Sequence, residues 1–384
     1  MSGIYLHIPF CKQKCHYCDF HFSTSLKRKD DMIAALKTEL LLRKDKWEGT
    51  AIETIYFGGG TPSILSITEL QGLLDLIYEN YKISAQPEIT LEANPDDLSK
   101  DSINQLSKSP INRLSIGIQS FFEDDLKTMN RAHNAEEAKT CLDEATKHFD
   151  NITIDLIYGI PNMSLKKWEQ NLQMAFDFGV PHISSYALTV EDKTALHNFI
   201  KKGKYPPLDE VLAAQHFKHL IKCTQDQGFV HYEISNFGKS NYFSKHNTSY
   251  WQGKTYLGVG PSAHSFNGKE RSWNVANNIK YIKALAQNIL PSEIETLTKN
   301  DRFNEYIMTG LRTVWGIALN KIEDDFGKAY KRQLLTSAQK FIDQKLLVRT
   351  VDIDTHQNVV EKLKTTSDGK FLADGIAADM FILD

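Results

Sequence analysis

Three of the chain's five cysteines, Cys11, Cys15 and Cys18, stand in a CxxxCxxC run near the amino terminus. Thiolates are soft ligands that suit iron–sulfur clusters, zinc or Cu(I). Structural zinc wants a closed shell of four ligands, commonly from two separated cysteine pairs, and no second pair exists here. His7, His16 or His21 would have to complete a zinc site, and that is the alternative reading. Attachment of a c-type haem is excluded because Asp19, not histidine, follows Cys18. An odd cysteine count with three clustered makes a poor disulfide framework and a good metal site in a reducing compartment. Three thiolates on a four-iron cluster leave one iron open, able to bind a ligand and pass it an electron. Cys141 and Cys223 fall in helical patterns and read as small buried hydrophobes.

Further along, Gly58-Gly59-Gly60-Thr61-Pro62 ends an apolar run. Glycines permit close backbone approach and positive φ. The run lacks the Lys-Ser/Thr of a phosphate loop and the GxGxxG spacing of a dinucleotide site. Glu92 ends Ile89-Thr90-Leu91, Gln119 follows Ile116-Gly117-Ile118, and Asp155 interrupts the apolar stretch Ile152–Tyr158. A carboxylate in such a place is costly to bury unpaired. Glu92 has two simple partners, Arg113 or Arg131, and Arg131 could instead anchor a carboxylate bidentately. Several polar groups converging on one sheet end are better explained by a polar ligand than by separate core contacts.

Those residues must be positioned by regular elements. Strand patterns occupy Ile4–Ile8, Thr54–Phe57, Glu88–Glu92, Arg113–Ile118, Ile152–Tyr158 and His182–Leu188, with amphipathic helical patterns between them. Ser66 and Glu69 predict a capping box at the start of the second helix. Strand–helix alternation argues for a parallel sheet with right-handed crossovers. Every chemically unusual stretch lies at the C-terminal end of a strand candidate, where parallel α/β folds build their sites. Contributions from all six favour a barrel mouth over an open sheet. The expected fold is α/β: an incomplete (β/α)6 TIM-like barrel over residues 1–230, an aromatic- and glycine-rich connecting region over 231–299, and a smaller C-terminal α+β domain over 300–384 in which two short strands bracket a polar turn.

Composition narrows the function class. Of 384 residues, 41% are hydrophobic and 24% charged, an ordinary globular balance, and the net charge of −3 offers no field to attract nucleic acid. No transmembrane segment or secretory signal is expected, so any membrane contact would be peripheral and the protein is read as soluble and cytoplasmic.

CxxxCxxC directly after the first strand of a (β/α) array resembles the radical SAM superfamily, which binds a [4Fe-4S] cluster and S-adenosyl-L-methionine (SAM). Tyr5–Cys11, Gly58–Pro62, Gly117–Phe121, Asn130–His133 and Asp155–Pro161 together resemble its oxygen-independent coproporphyrinogen III oxidase (HemN-like) family, as does Leu363–Gly369 at the other end. The resemblance implies that Cys11, Cys15 and Cys18 hold the cluster. It also implies that Tyr5, Tyr17, Gly59, Gly60, Thr61, Glu92, Gln119, Arg131, Asp155 and Ala187 line the SAM pocket. Members of the oxidase branch hold two SAM molecules, carry a fourth cysteine two residues after the third, and have a long segment before the cluster. Here Phe20 takes the fourth cysteine's place. Phe20 and His246-Asn247-Thr248-Ser249-Tyr250-Trp251 resemble instead the haem-chaperone branch, whose HNxxYW motif would make His246 a haem ligand. That branch implies a chaperone that binds haem and hands it to respiratory haemoproteins. Decarboxylation of coproporphyrinogen III is the alternative.

Overall fold

The computed structural model describes residues 2–47, 49–353 and 359–383. Strands β1 (Ser2–Ile8), β2 (Ile52–Gly59), β3 (Ile83–Ala93), β4 (Arg113–Gln119), β5 (Ile152–Tyr158) and β6 (His182–Ala187) lie side by side in sequence order, all parallel. They read as near-continuous apolar runs because helices cover the sheet: every residue of β4 and all but one of β5 are buried. The intervening helices are α1 (Lys29–Arg43), α2 (Ile67–Asn80), α3 (Lys100–Leu106), α4 (Glu123–Met129), α5 (Ala135–His148) and α6 (Leu165–Asp177). The expected capping box of Ser66 and Glu69 opens α2, and Asn134 with Glu137 repeats the device at α5.

After α7 (Ala195–Lys201) and α8 (Glu210–Asp226) come β7 (Val230–His231), β8 (Asn236–Gly238), α9 (Lys245–Trp251), β9 (Thr255–Val259), β10 (His264–Phe266), β11 (Glu270–Asn274), α10 (Asn278–Leu285) and β12 (Ser292–Thr296). All twelve strands form one sheet, in the order β12-β11-β10-β9-β1-β2-β3-β4-β5-β6-β8-β7. β9 pairs with β1 in parallel, from Ser2↔Thr255 to Leu6↔Val259, so the parallel run has a seventh strand that periodicity did not reveal. The strands of this stretch span only two to five residues, too few to establish an alternation.

A charged cluster is buried within this packing. Glu39 of α1 is fully buried. Its Oε1 accepts from Arg43 Nε at 2.7 Å and from Asn274 Nδ2 at 2.8 Å. Its Oε2 accepts from Gly260 N at 2.9 Å and from the Tyr281 hydroxyl. Asn274 also donates to the Gly260 carbonyl at 2.8 Å and accepts from Arg43 Nη2 at 3.0 Å. The cluster clamps the turn between β9 and β10, in which Ser262 adopts a left-handed φ of 65°.

A second core, around Phe303, Ile307, Leu311, Leu334 and Leu363, belongs to the C-terminal unit. It contains α11 (Lys299–Leu311), β13 (Ile317–Ala318), α12 (Leu319–Phe326), α13 (Lys328–Asp343), β14 (Leu347–Ile353), β15 (Val359–Thr365), α14 (Ser367–Lys370) and α15 (Ala373–Ala378). Its three strands make a separate antiparallel sheet in the order β13-β15-β14. The polar turn expected between β14 and β15 lies outside the described residues. The unit docks on the first through Val314 N donating to Tyr232 O and Lys370 Nζ donating to His231 O, each at 2.9 Å. Among the described residues, no helix is long and apolar enough to cross a membrane.

Candidate functional site

The cysteine loop leaves β1 at the mouth of the sheet and is tied down along its length. Cys11 N donates to Ser23 O at 3.1 Å, His16 N to Met129 O at 3.0 Å and Asn130 Nδ2 to Lys14 O at 2.8 Å. Asn130 reaches that carbonyl from the left-handed C-cap of α4, with φ 55°. Cys11, Cys15 and Cys18 all line one cavity of about 560 Å³. Burial pushes the Cys11 thiol up to about 11 and the Cys18 thiol upward, while Arg131 works against both shifts. Arg131 Nη1 donates to Cys15 Sγ at 3.3 Å.

The three histidines that would complete a zinc site are held elsewhere. His7 Nε2 bonds to His21 O at 2.9 Å, His16 Nδ1 to Thr128 O at 2.9 Å and His21 Nε2 to Asn278 Oδ1 at 2.7 Å. Among the described residues, no three His, Cys, Asp or Glu side chains gather closely enough for a single metal ion. Three thiols spaced round one cavity beside a buried guanidinium fit a larger anionic group, such as an iron–sulfide cluster, better than zinc.

The cavity wall comes from the strand ends. Gly59 has φ 109°, and a Cβ there would lie 2.6 Å from the His7 ring. A Cβ on Gly60 would meet Phe10 O at 2.4 Å. The glycines therefore bring this strand end against the cysteine loop, with Gly60 N donating to Ile8 O at 2.9 Å and Thr61 N to Phe10 O at 2.6 Å. Glu92 bonds to neither arginine. It accepts from Tyr56 Oη at 2.8 Å and from Gly59 N at 3.2 Å. Burial pushes its carboxyl up to about 7, and the charge of Asp155 adds to the rise. Burial likewise pushes Asp155 up to about 6, against the pull of Arg131 and Arg113. Arg131 Nη2 donates to Asn94 Oδ1 at 2.7 Å and Gly117 O at 2.9 Å, leaving its buried Nε without a partner. Gln119 turns into the cavity at the end of β4 through a left-handed φ of 66°. Tyr5 and Tyr17 line the same space.

Two expected residues sit differently. Ala187 packs against the apolar core, and its neighbour Tyr186 lines the cavity, because successive side chains on a strand point to opposite faces. His246 lines the cavity but is only 1% exposed, and both ring nitrogens are engaged: Nδ1 with Thr54 Oγ1 and Nε2 with Tyr250 Oη, each at 2.7 Å. Burial pushes its imidazole down to about 3, with Arg113 adding to the shift. Gly3 makes room for it, since a Cβ there would lie 3.0 Å from the ring. Trp251 faces away, under the Arg312 guanidinium at 5.4 Å. Phe20 is 69% exposed at the cavity mouth.

Sequence reasoning named Arg113 only as a partner for Glu92 and passed over the rest of the cavity's inner wall. Arg113 lies 4.0 Å from Glu88 and donates to Thr153, whose hydroxyl meets His182 Nδ1 at 3.0 Å. His182 Nε2 in turn meets Tyr232 Oη at 2.7 Å. Arg113 and His182 open β4 and β6, and a large polar residue at the start of each strand was the available signal.

Residues 5–175 match the family model of the Radical SAM superfamily, and residues 297–352 match that of the HemN C-terminal domain. A protein called heme chaperone HemW from Bacillus subtilis is 34% identical over 335 residues, covering 86% of this chain and 88% of its own length. Another of that name, from Mycobacterium tuberculosis, is 32% identical over 83% of this chain and 84% of its own. The structure of the coproporphyrinogen III oxidase HemN from Escherichia coli superposes with a TM-score of 0.84 at 22% identity, over 99% of this chain and 90% of that one. With a relative that similar along so much of its length, the chain belongs to the HemW family of the radical SAM superfamily.

Proposed function

We propose that this protein is a haem chaperone. It holds a [4Fe-4S] cluster on Cys11, Cys15 and Cys18, binds SAM in the adjoining cavity, and from the cytoplasm hands haem to respiratory haemoproteins. The observation that carries the reading is Phe20, a large apolar side chain 69% exposed beside the cysteine loop, at the position where the oxidase branch carries a fourth cysteine. An exposed ring at a cavity mouth offers a flat face to a macrocycle. The HemW names of the relatives point the same way.

When bound, a cluster with one open iron supplies a ligand position and an electron. The remaining work falls to the chain's own groups. Arg131 sets positive charge against the thiolates. Glu92 and Asp155, once ionised, oppose the cationic amino and sulfonium groups of SAM, and a cation beside them lowers both carboxyls towards their ordinary range. Gln119 and the Gly59–Thr61 backbone fix the ligand's orientation. Tyr5 and Tyr17 close the sides.

The test is anaerobic reconstitution followed by two assays on the same preparation. Haemin titration should show saturable binding, and incubation of the reduced protein with SAM and coproporphyrinogen III should leave that substrate intact. Formation of protoporphyrinogen IX would instead assign the chain to oxidative decarboxylation.

A further inference from the structure

A second cavity, of about 500 Å³, adjoins the first and shares Tyr5, Phe20, Gly59, Glu92 and Tyr250 with it. Its other walls are Tyr256 of β9 and the turn that begins β10, and three histidines reach it: His7, His21 and His264. His7 has both ring nitrogens occupied, Nδ1 by Tyr5 Oη at 3.2 Å and Nε2 by His21 O. His21 has Nε2 held by Asn278. His264 is exposed, and among the described residues its ring nitrogens make no hydrogen bond. Its one ring contact is with Trp273, at 6.1 Å between centroids.

We propose that His264 is an axial ligand to the iron of a haem seated in this cavity, with Phe20, Tyr250 and Tyr256 against the macrocycle. The inference rests on the haem-handling reading above and names the group that recognises the iron. His246 is the poorer candidate on geometry, because its Nε2 would first have to release Tyr250.

Two further observations support His264. The backbone that presents it is built with unusual care. Ser262 takes a left-handed φ of 65° two residues before it, and a Cβ on Gly258 would lie 2.0 Å from the His264 carbonyl. The buried cluster of Glu39, Arg43, Asn274 and Tyr281 holds the same turn through Gly260. Strain and buried charge persist only where the surroundings enforce them, and they concentrate at ligand sites. Protonation also favours coordination. Partial desolvation, with the Arg271 charge adding, pushes the His264 imidazole below its ordinary 6.5, the direction that favours the neutral, coordinating ring.

The full-length protein should be titrated with haemin as wild type and as His264→Ala, His246→Ala, His21→Ala and His148→Ala, with absorption and electron paramagnetic resonance spectra of each ferric complex. His264→Ala should lose the imidazole-ligand signature and bind at least about tenfold more weakly, the scale on which even the outer partners of metal ligands matter. Added imidazole should restore the spectrum. His148→Ala, on the far surface of α5, should match wild type. An unchanged His264→Ala spectrum, or the loss appearing in His246→Ala or His21→Ala instead, overturns the ligand assignment and leaves haem binding standing. No saturable binding by the wild type overturns the haem-handling reading and this inference with it.

Discussion

Replacing Glu39 by glutamine removes a charge and no volume, which makes it a clean probe of the buried cluster behind the β9–β10 turn. Each carboxylate oxygen accepts from two donors: Arg43 and Asn274 on one side, Gly260 and Tyr281 on the other. However the glutamine amide is turned, its NH₂ faces two of those donors, and only the Tyr281 hydroxyl can rotate to accept. At least one buried N–H is then left opposed, and the Arg43 guanidinium, 7% exposed, loses its counter-charge. Breaking one partner of a buried ion pair costs about 3–5 kcal/mol. With a urea dependence of about 3 kcal/mol per molar, that lowers the unfolding midpoint by roughly 1 to 1.7 M. Equilibrium unfolding followed by circular dichroism measures it. A matched pair, Glu39→Leu with Arg43→Met, removes both charges and should recover part of the loss. The reasoning fails if Glu39→Gln lies within about 0.5 kcal/mol of wild type, the range of an ordinary surface substitution. It fails equally if the double variant is no more stable than the single.

Glu92 and Asp155 give a pH dependence of definite sign. Burial raises them from their ordinary 4.5 and 3.8 to about 7 and about 6, so the folded, ligand-free protein binds more protons than the unfolded chain between those values. Their contribution to stability is full below pH 4 and declines as pH rises to about 7. Thermal melts of Glu92→Gln should show a shallower decline over that window, and saturating SAM should flatten it in wild type. Gly60→Ala should leave the fold intact but displace the cysteine loop, because the added Cβ meets backbone at Phe10 that cannot rotate away. Iron retained after anaerobic reconstitution should fall well below wild type. Cys15→Ser should likewise lower retained iron, whereas Cys141→Ser, buried in the α5 interface and outside the cavity lining, should retain a full complement.

The parallel core was readable because its strands are long, apolar and separated by helices with clear caps. The same logic located Glu92, Gln119 and Asp155, polar residues breaking apolar runs at strand ends, and the structure brings all three to one cavity with the cysteines and Arg131. What escaped notice depends on contacts distant in sequence. Nothing local marks Thr255–Val259 as the partner of β1, since five residues carry no decisive period. Glu92 pairs with a tyrosine and a backbone amide where charge matching suggested arginine. His246 stood out through its motif, yet the helical spacing that places it over Tyr250 also ties up its Nε2. His264 carried no motif at all, and its exposure is a property of the turn.

The pairing of β1 with β9 has a bearing on biosynthesis. The strand that carries the cysteine loop emerges from the ribosome before either of its neighbours, and one of them, β2, follows within 60 residues. The other, Thr255–Val259, is synthesised some 250 residues later. Until then β1 is an open edge with unpaired amides and carbonyls, a template for intermolecular strand addition. A nascent chain stalled before residue 255 therefore offers thiols on an aggregation-prone margin. If the cluster proposed above is built on these thiols, delivery of iron and sulfide is best timed after β9 has sealed the edge.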